Sequence, residues 1–142
     1  MNKRTVLYGA IAVGALFVAL QLVPYGKDHT NPPVVSEPKW DSPQTRALAK
    51  RACFDCHSSE TVWPWYSSIA PGSWLIYKDV VDGRAEYSFS DWGREAKKAR
   101  KLAEVINEGQ MPPPQYLLLH PEARLSPAEK QQLVAGFQKS VP

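Results

Sequence analysis

Two cysteines and a histidine stand together as Cys53-Phe54-Asp55-Cys56-His57. Two thiols with two residues between them can reach the vinyl groups on one edge of a haem and form thioethers. The residue that follows then sets an imidazole under the iron as its fifth ligand. Cys53 and Cys56 are the only cysteines in the chain, so no other pairing competes for them. The expectation is one covalent haem c, attached through Cys53 and Cys56, with His57 as an axial ligand. Two other chemistries use the same spacing. A redox dithiol usually sits between a strand and a helix, whereas Ser42 to Ala52 reads as a helix. A zinc site needs two more ligands at tetrahedral spacing. The histidines are His29, His57 and His120, and adjacent Cys56 and His57 are awkward partners on one ion. In an oxidising compartment a Cys53–Cys56 disulfide is a further alternative.

A sixth ligand is sought among soft donors. After Met1, Met111 is the only methionine, in the segment Gly109-Gln110-Met111-Pro112-Pro113-Pro114 between two predicted helices. A thioether suits low-spin haem iron and raises its reduction potential relative to two histidines. The prolines remove backbone donors and fix φ, so the segment is stiff and can hold a sulfur in place at low entropic cost. Met111 is the expected metal ligand opposite His57; a methionine filling a gap in the core is the competing reading. His120 is the rival ligand, His29 a weaker one, and a five-coordinate iron open to small molecules is the remaining option.

The elements that must position these residues begin with an apolar run, Thr5 to Val23, preceded by Lys3 and Arg4. A bilayer core needs about 20 such residues, and the leading positive charges keep that end in the cytoplasm. Residues 1–23 are therefore expected to be an uncleaved single-pass anchor. A signal peptide competes, although Ala19-Leu20-Gln21-Leu22-Val23 lacks a good small-x-small cleavage site. Residues 24–41 carry Pro24, Pro32, Pro33 and Pro38 among polar residues and read as an extended linker; folding back on the domain is the alternative. Residues 42–142 make one haem domain. The formal charge is +3, and about +1 remains once Lys3 and Arg4 are set aside, which offers nothing for nucleic acid to bind.

Helices and loops account for the domain, and its class is all-α. Ser42 or Asp41 caps a first helix, with Pro43 at its first position, that ends near Ala52. A second runs from Pro71 or Gly72 to between Val81 and Gly83. A third starts at Ser88 or Ser90 and stops at Glu108 before Gly109, with Trp92, Ala96, Ala99, Leu102, Ala103 and Ile106 at helical spacing. Ser126, Pro127 and Glu129 form a capping box for the last, whose apolar face is Leu133, Val134 and Phe137. Trp63, Trp65, Tyr66 and Trp74 are expected to line the haem, or else to be plain core. Arg84 is expected to pair with a propionate, or else to be a surface arginine. Arg94, Lys97, Lys98 and Lys101, with Arg100 beside them, share one helical face. That face is either solvated or a dock for an acidic redox partner or for anionic lipid headgroups.

The stretch from C-F-D-C-H-S through W-P-W-Y, I-A-P-G-S-W, G-R and F-S-D-W, with M-P-P-P-Q-Y-L-L-L-H-P-E-A-R-L-S downstream, closely resembles a bacterial family of haem-binding domains with a C-x-x-C-H motif. The likeness spans about 90 residues, nearly all of the domain. It implies a small cytochrome c-like fold behind the N-terminal helix, haem on Cys53 and Cys56, His57 proximal and Met111 distal. By analogy with small cytochromes c, the Pro71 carbonyl is the expected acceptor for the second ring N–H of His57. The expected location is a bacterial inner membrane, with the haem domain in the periplasm.

No nucleophile–base pair is evident, and a six-coordinate iron leaves no room for substrate. The expected function is therefore single-electron transfer rather than catalysis, with a redox partner such as a membrane oxidoreductase. The alternatives are a ligand-binding or sensing module with an open sixth position, and a haem-bearing structural subunit of a respiratory complex.

Overall fold

The computed structural model describes residues 2 to 94 and 101 to 140. Among them the fold is all-α, with no strand and one isolated parallel bridge between Ser36 and Asp91. In chain order the helices are α1 (Lys3–Gln21), α2 (Pro43–Ala52), α3 (Phe54–His57), α4 (Gly72–Glu86), α5 (Leu102–Asn107), α6 (Tyr116–Leu119) and α7 (Pro127–Ser140), with 3-10 turns at Trp65–Ser68, Trp92–Arg94 and Pro121–Ala123. The chain divides into two compact units. One joins Met1–Thr30 to Trp63–Asp79; the other joins Asn31–Val62 to Val80–Pro142.

The first unit is organised by α1, a helix of 19 residues with none buried, apolar and long enough to cross a membrane. Its last residue, Gln21, folds its side-chain amide onto the backbone of Ala70, donating to the carbonyl and accepting from the N–H, each at 2.9 Å. Tyr25 meets Tyr77 edge to face at 5.3 Å, and His29 stacks on Trp63 with centroids 4.4 Å apart.

The second unit has its core around Phe89, fully buried among rings. Phe54, Trp92 and Phe137 stack on it at 5.3, 5.5 and 5.7 Å, Tyr87 meets it edge-on at 5.4 Å, and Trp40 lies at 5.5 Å. Leu48, Ala49, Leu102, Ile106 and Leu133 complete this cluster. The expected starts of α2 and α7 hold. Ser42 caps α2 by accepting from the Thr45 N–H at 3.2 Å, ahead of Pro43. Ser126 and Glu129 exchange both capping-box bonds, at 2.8 and 3.3 Å. The Ser126 N–H, ahead of Arg51, pulls the Glu129 carboxyl down to about 2.

Three expectations change. Residues 31–41 are no free linker. The N–H groups of Val35 and Ser36 both donate to the Ser90 carbonyl, at 2.8 and 3.1 Å, and Trp92 N–H donates to Ser36 at 3.3 Å. Glu37 takes a bidentate pair from Arg46, at 2.8 and 2.7 Å, and the Trp40 indole N–H at 2.8 Å. Those bonds, Arg46 first, hold the Glu37 carboxyl below its usual range against the effect of burial. Prolines leave this segment extended but do not stop it donating where a sheet-like partner is offered. The helix expected from Ser88 or Ser90 does not start there; residues 88–91 form a turn and Trp92–Arg94 a 3-10 turn before α5. Ala96, Lys97, Lys98, Ala99 and Arg100 lie outside the described residues, and with them most of the basic face. Finally, α4 runs on to Glu86 rather than ending by Gly83.

Where α7 crosses α2, Gly136 lies against Thr45. A Cβ there would stand 2.9 Å from the Thr45 Cβ and nearer still to its hydroxyl. Alanine normally gains about 1 kcal/mol over glycine inside a helix. A β-branched neighbour that is itself buried cannot yield, and overpacking costs about 1–3 kcal/mol. Gly136→Ala should therefore lower stability, read as a fall in the denaturant midpoint; a rise would show that the two helices have slack at this crossing.

Candidate functional site

Cys53 ends α2 and starts α3, so the motif is wound into a single helical turn. Cys53 N–H donates to the Ala49 carbonyl at 2.8 Å, and the N–H groups of Cys56 and His57 both donate to the Cys53 carbonyl, at 3.2 and 2.9 Å. Residues three apart in a helix share a face, which puts the two sulfurs on one side and the imidazole one step on. Both cysteines are unbridged and half-buried. Burial, aided by Cys56, pushes the Cys53 thiol up to about 12.

His57 is buried, and its ring is held on two sides. Nδ1 lies 2.8 Å from the Gly83 carbonyl and 3.2 Å from that of Tyr87. Carbonyls only accept, so Nδ1 must carry the proton and the lone pair belongs to Nε2. The Tyr87 ring stacks on the imidazole, with centroids 4.2 Å apart and planes 7° from parallel. Burial pushes the His57 pKa down, against the pull of the two carbonyls and Glu86, so the ring is neutral at pH 7. A neutral imidazole with one nitrogen tied to a carbonyl is the form that ligates a metal.

The acceptor is thus Gly83, supported by Tyr87, and not Pro71, whose carbonyl takes the Trp74 N–H at 3.1 Å. Gly83 works by close approach. A Cβ there would stand 2.5 Å from the Cys56 carbonyl oxygen and 3.0 Å from its carbon. Only glycine lets the end of α4 lie flat on the backbone of the motif and deliver its carbonyl to His57. Gly83, Tyr87 and Phe89, whose N–H donates to the His57 carbonyl at 2.7 Å, were not picked out by sequence reasoning. The available signal was a glycine inside a helical run, which marks close packing as often as a stop.

Met111 belongs to the same unit as the motif and is half-buried in the turn after α5. Gly109 makes that turn at φ 72°, and the N–H groups of Gln110 and Met111 both donate to the Val105 carbonyl, at 2.9 and 3.2 Å. Five residues past Met111, the Tyr116 hydroxyl donates to Asp55 Oδ2 at 2.6 Å. Asp55 is the third residue of the motif, and its other oxygen accepts the Val62 N–H at 3.0 Å. Burial first, then Asp55, pushes the Tyr116 phenol up, so it stays a donor. Tyr116 is a further residue that sequence reasoning did not pick out.

The remaining candidates have the following surroundings. Arg84 donates to the Ser58 carbonyl at 2.8 Å, to Asn31 at 2.7 Å and to Thr61 at 2.9 Å; the loop behind the motif offers acceptors that a guanidinium fork can span. Trp63, Trp65, Tyr66 and Trp74 all lie in the first unit, where Trp65 packs edge-on to Tyr66 at 5.8 Å. The Trp74 indole N–H is buried with no acceptor among the described residues. His120 stacks on Tyr116 at 4.1 Å and faces Glu122 at 3.1 Å.

These residues fit a covalently held haem: two unbridged thiols on one helical face and a neutral, oriented imidazole beside them. They suit the alternatives less well. Among the described residues no three of His, Cys, Asp and Glu gather as a metal-holding group. A thiol held protonated near neutral pH lacks the reactivity of a dithiol redox pair. A family model described as a haem-binding domain matches residues 15–139. No curated protein and no solved structure matches the chain.

Gly83→Ala should cost about 1–3 kcal/mol by overpacking, since both groups in the way are backbone. The purified protein should show a lower denaturant midpoint than the parent. Stability equal to the parent's would mean that α4 and the motif do not approach so closely.

Proposed function

This chain belongs to the haem-binding domain family, and we propose that within it the chain is a membrane-anchored, monohaem c-type cytochrome. It carries single electrons at the outer face of a bacterial inner membrane and serves a redox partner there, such as a membrane oxidoreductase; it is a carrier, not an enzyme. The observation that carries this reading is the C-x-x-C-H turn whose histidine has Nδ1 committed to the Gly83 carbonyl and its ring stacked on Tyr87. When bound, the haem supplies a one-electron iron couple. Cys53 and Cys56 would hold it through thioethers, and His57 and Met111 would donate to its iron.

Each residue of the chain has a separate task in this reading. The Gly83 carbonyl keeps the proton on Nδ1 and so keeps the Nε2 lone pair directed outward. Tyr87 stops the imidazole rotating, and burial excludes water from it. Electron carriers work best when their ligands sit alike in both oxidation states. A clamped imidazole supports that, as does a methionine followed by three prolines. Tyr116 ties the segment after Met111 to Asp55 of the motif, so Tyr116 is a positioning residue for the methionine. The apolar run of α1, with Lys3 and Arg4 at the helix start, supports a single-pass anchor with the remainder exported.

The test is an absorption spectrum of the full chain, oxidised and reduced, after co-expression with the cytochrome c maturation machinery, with a haem stain on a denaturing gel. Gel-stable haem and a sulfur-to-iron charge-transfer band are expected. Met111→Ala should lose that band and bind carbon monoxide when reduced; Tyr116→Phe should keep the band but bind carbon monoxide faster than the parent. Covalent haem whose spectrum ignores Met111→Ala would remove Met111 from the iron. A high-spin spectrum in the parent would favour a ligand-binding role, and absence of gel-stable haem would overturn the reading.

A further inference from the structure

From Thr61 to Tyr77 the chain carries no charged side chain, and this stretch holds Trp63, Trp65, Tyr66, Trp74 and Tyr77. Most of it lies in the first unit, which the haem reading leaves without a task. It is fastened to the end of the apolar helix. Gln21 satisfies both backbone groups of Ala70 while its amide nitrogen also donates to the Phe17 carbonyl inside α1, at 3.0 Å. Five residues past the helix, Gly26 turns at φ 78° and lies so close to the start of α4 that a Cβ would stand 2.8 Å from the Ser73 carbonyl oxygen. These ties hold residues 63–77 at the level where α1 ends.

Part of the loop's backbone is paired within the unit. Ala70 is fully buried with Gln21 on both its polar groups. Ser67 donates from N–H and hydroxyl to the Pro64 carbonyl, at 2.9 and 2.6 Å. Ile69 N–H donates to Tyr66 at 3.1 Å, and the Ser67 carbonyl faces the His29 ring at 3.1 Å. Irregular backbone paired in this way suits a setting with little water. What the loop turns outward is apolar: Trp65 is 78 % exposed and Leu75 55 %, with Ile69 exposed between them and Leu22 and Tyr25 exposed at the end of α1. One such residue alone would mean nothing. Aromatic, uncharged and joined to the end of an apolar helix, the group has the composition of a membrane–water interface, where tryptophan and tyrosine collect.

We propose that this face of the first unit lies in the headgroup layer of the membrane that α1 crosses, with Trp65, Ile69 and Leu75 against phospholipid. The anchor is then no loose tether. It is the stalk of a folded unit that rests on the bilayer, and Trp65 serves lipid rather than haem. Lipid is favoured over a protein partner because the face continues from α1, none of whose residues is buried and whose run from Thr5 to Leu20 carries no charge, and because Trp65, Ile69 and Leu75 stand in a stretch with no charged side chain. The proposal rests on the reading of α1 as a transmembrane anchor.

The experiment places the photoreactive residue p-benzoylphenylalanine at position 11, 65 or 75 of the full chain, one at a time, in cells that mature the haem. Membranes are irradiated, and the haem-stained band is analysed by mass spectrometry. Phospholipid adducts are expected at all three positions. Lipid adducts at 11 but not at 65 and 75 would overturn the proposal and leave the anchor intact. An adduct at 65 to another protein, or to the chain's own haem peptide, would overturn it in favour of a docking or haem-lining role. No lipid adduct at 11 would remove the anchor reading and this proposal with it. Positions 65 and 75 are both exposed, so loss of folding at one leaves the other to decide.

Discussion

The missing side chain of Gly83 is the constraint on which the second unit's geometry turns. The end of α4 cannot come as close to the backbone of Cys56 as it does if the α4 residue at the point of contact carries a Cβ. Because it comes so close, the Gly83 carbonyl reaches His57 Nδ1, the helix has one turn left to bring Tyr87 over the imidazole, and the chain then leads Phe89 into the centre of the core. The His57 carbonyl closes the loop by accepting from Phe89. Ring, carbonyl and core are thus one connected structure. An imidazole buried in this way would cost free energy if it were charged and unpaired. Burial instead lowers its pKa, and the single N–H of the neutral ring is satisfied.

That dependence explains what could be read in the sequence and what could not. Local chemistry was legible: Ser42 before Pro43, and Ser126 with Glu129, begin helices because their side chains satisfy backbone N–H groups within three residues. The C-x-x-C-H spacing was legible for the same reason, since its chemistry lies within five residues. Gly83 and Gly109 show where legibility ends. Both sit in helical runs and both look like stops. Gly109 is one, with a positive φ after α5. Gly83 stays helical, and its reason lies 27 positions back at Cys56. Nothing local separates a glycine kept for its φ from one kept for its lack of a Cβ.

The proline-rich stretch was misjudged through a similar gap. Pro24 to Asp41 has the composition of a spacer, but composition does not report an acceptor waiting at Ser90 or a guanidinium at Arg46. Glu37 draws a fork from Arg46, and Arg46 also reaches Glu60 at 2.9 Å while lying over the Phe54 ring at 5.4 Å. A half-buried bidentate pair contributes more than an exposed one. This one staples an extended segment to the helix that leads into the motif. Asn31 does the same at the other end, donating to the Thr61 carbonyl and accepting from Arg84. Arg84 is then easier to understand: a loop held by several side chains needs a donor with more than one arm.

A turn of four residues is too short to be stable alone, so its surroundings must keep it wound. Ser58 donates to the Phe54 carbonyl and accepts from Glu60, and Thr61 donates to the Asp55 carbonyl. Asp55 is satisfied twice over, by Val62 from the chain that leaves the turn and by Tyr116 from the chain that follows Met111. The middle residues of a C-x-x-C-H motif are free to vary as far as thioether chemistry is concerned. Here Phe54 enters the aromatic core and Asp55 receives the distal segment, so both have structural partners that the attachment chemistry does not require. The motif is thereby fixed through His57, through Phe54 and through Asp55. In the electron-carrier reading proposed above, that three-way restraint would hold His57 and the Met111 segment in the same positions before and after an electron arrives.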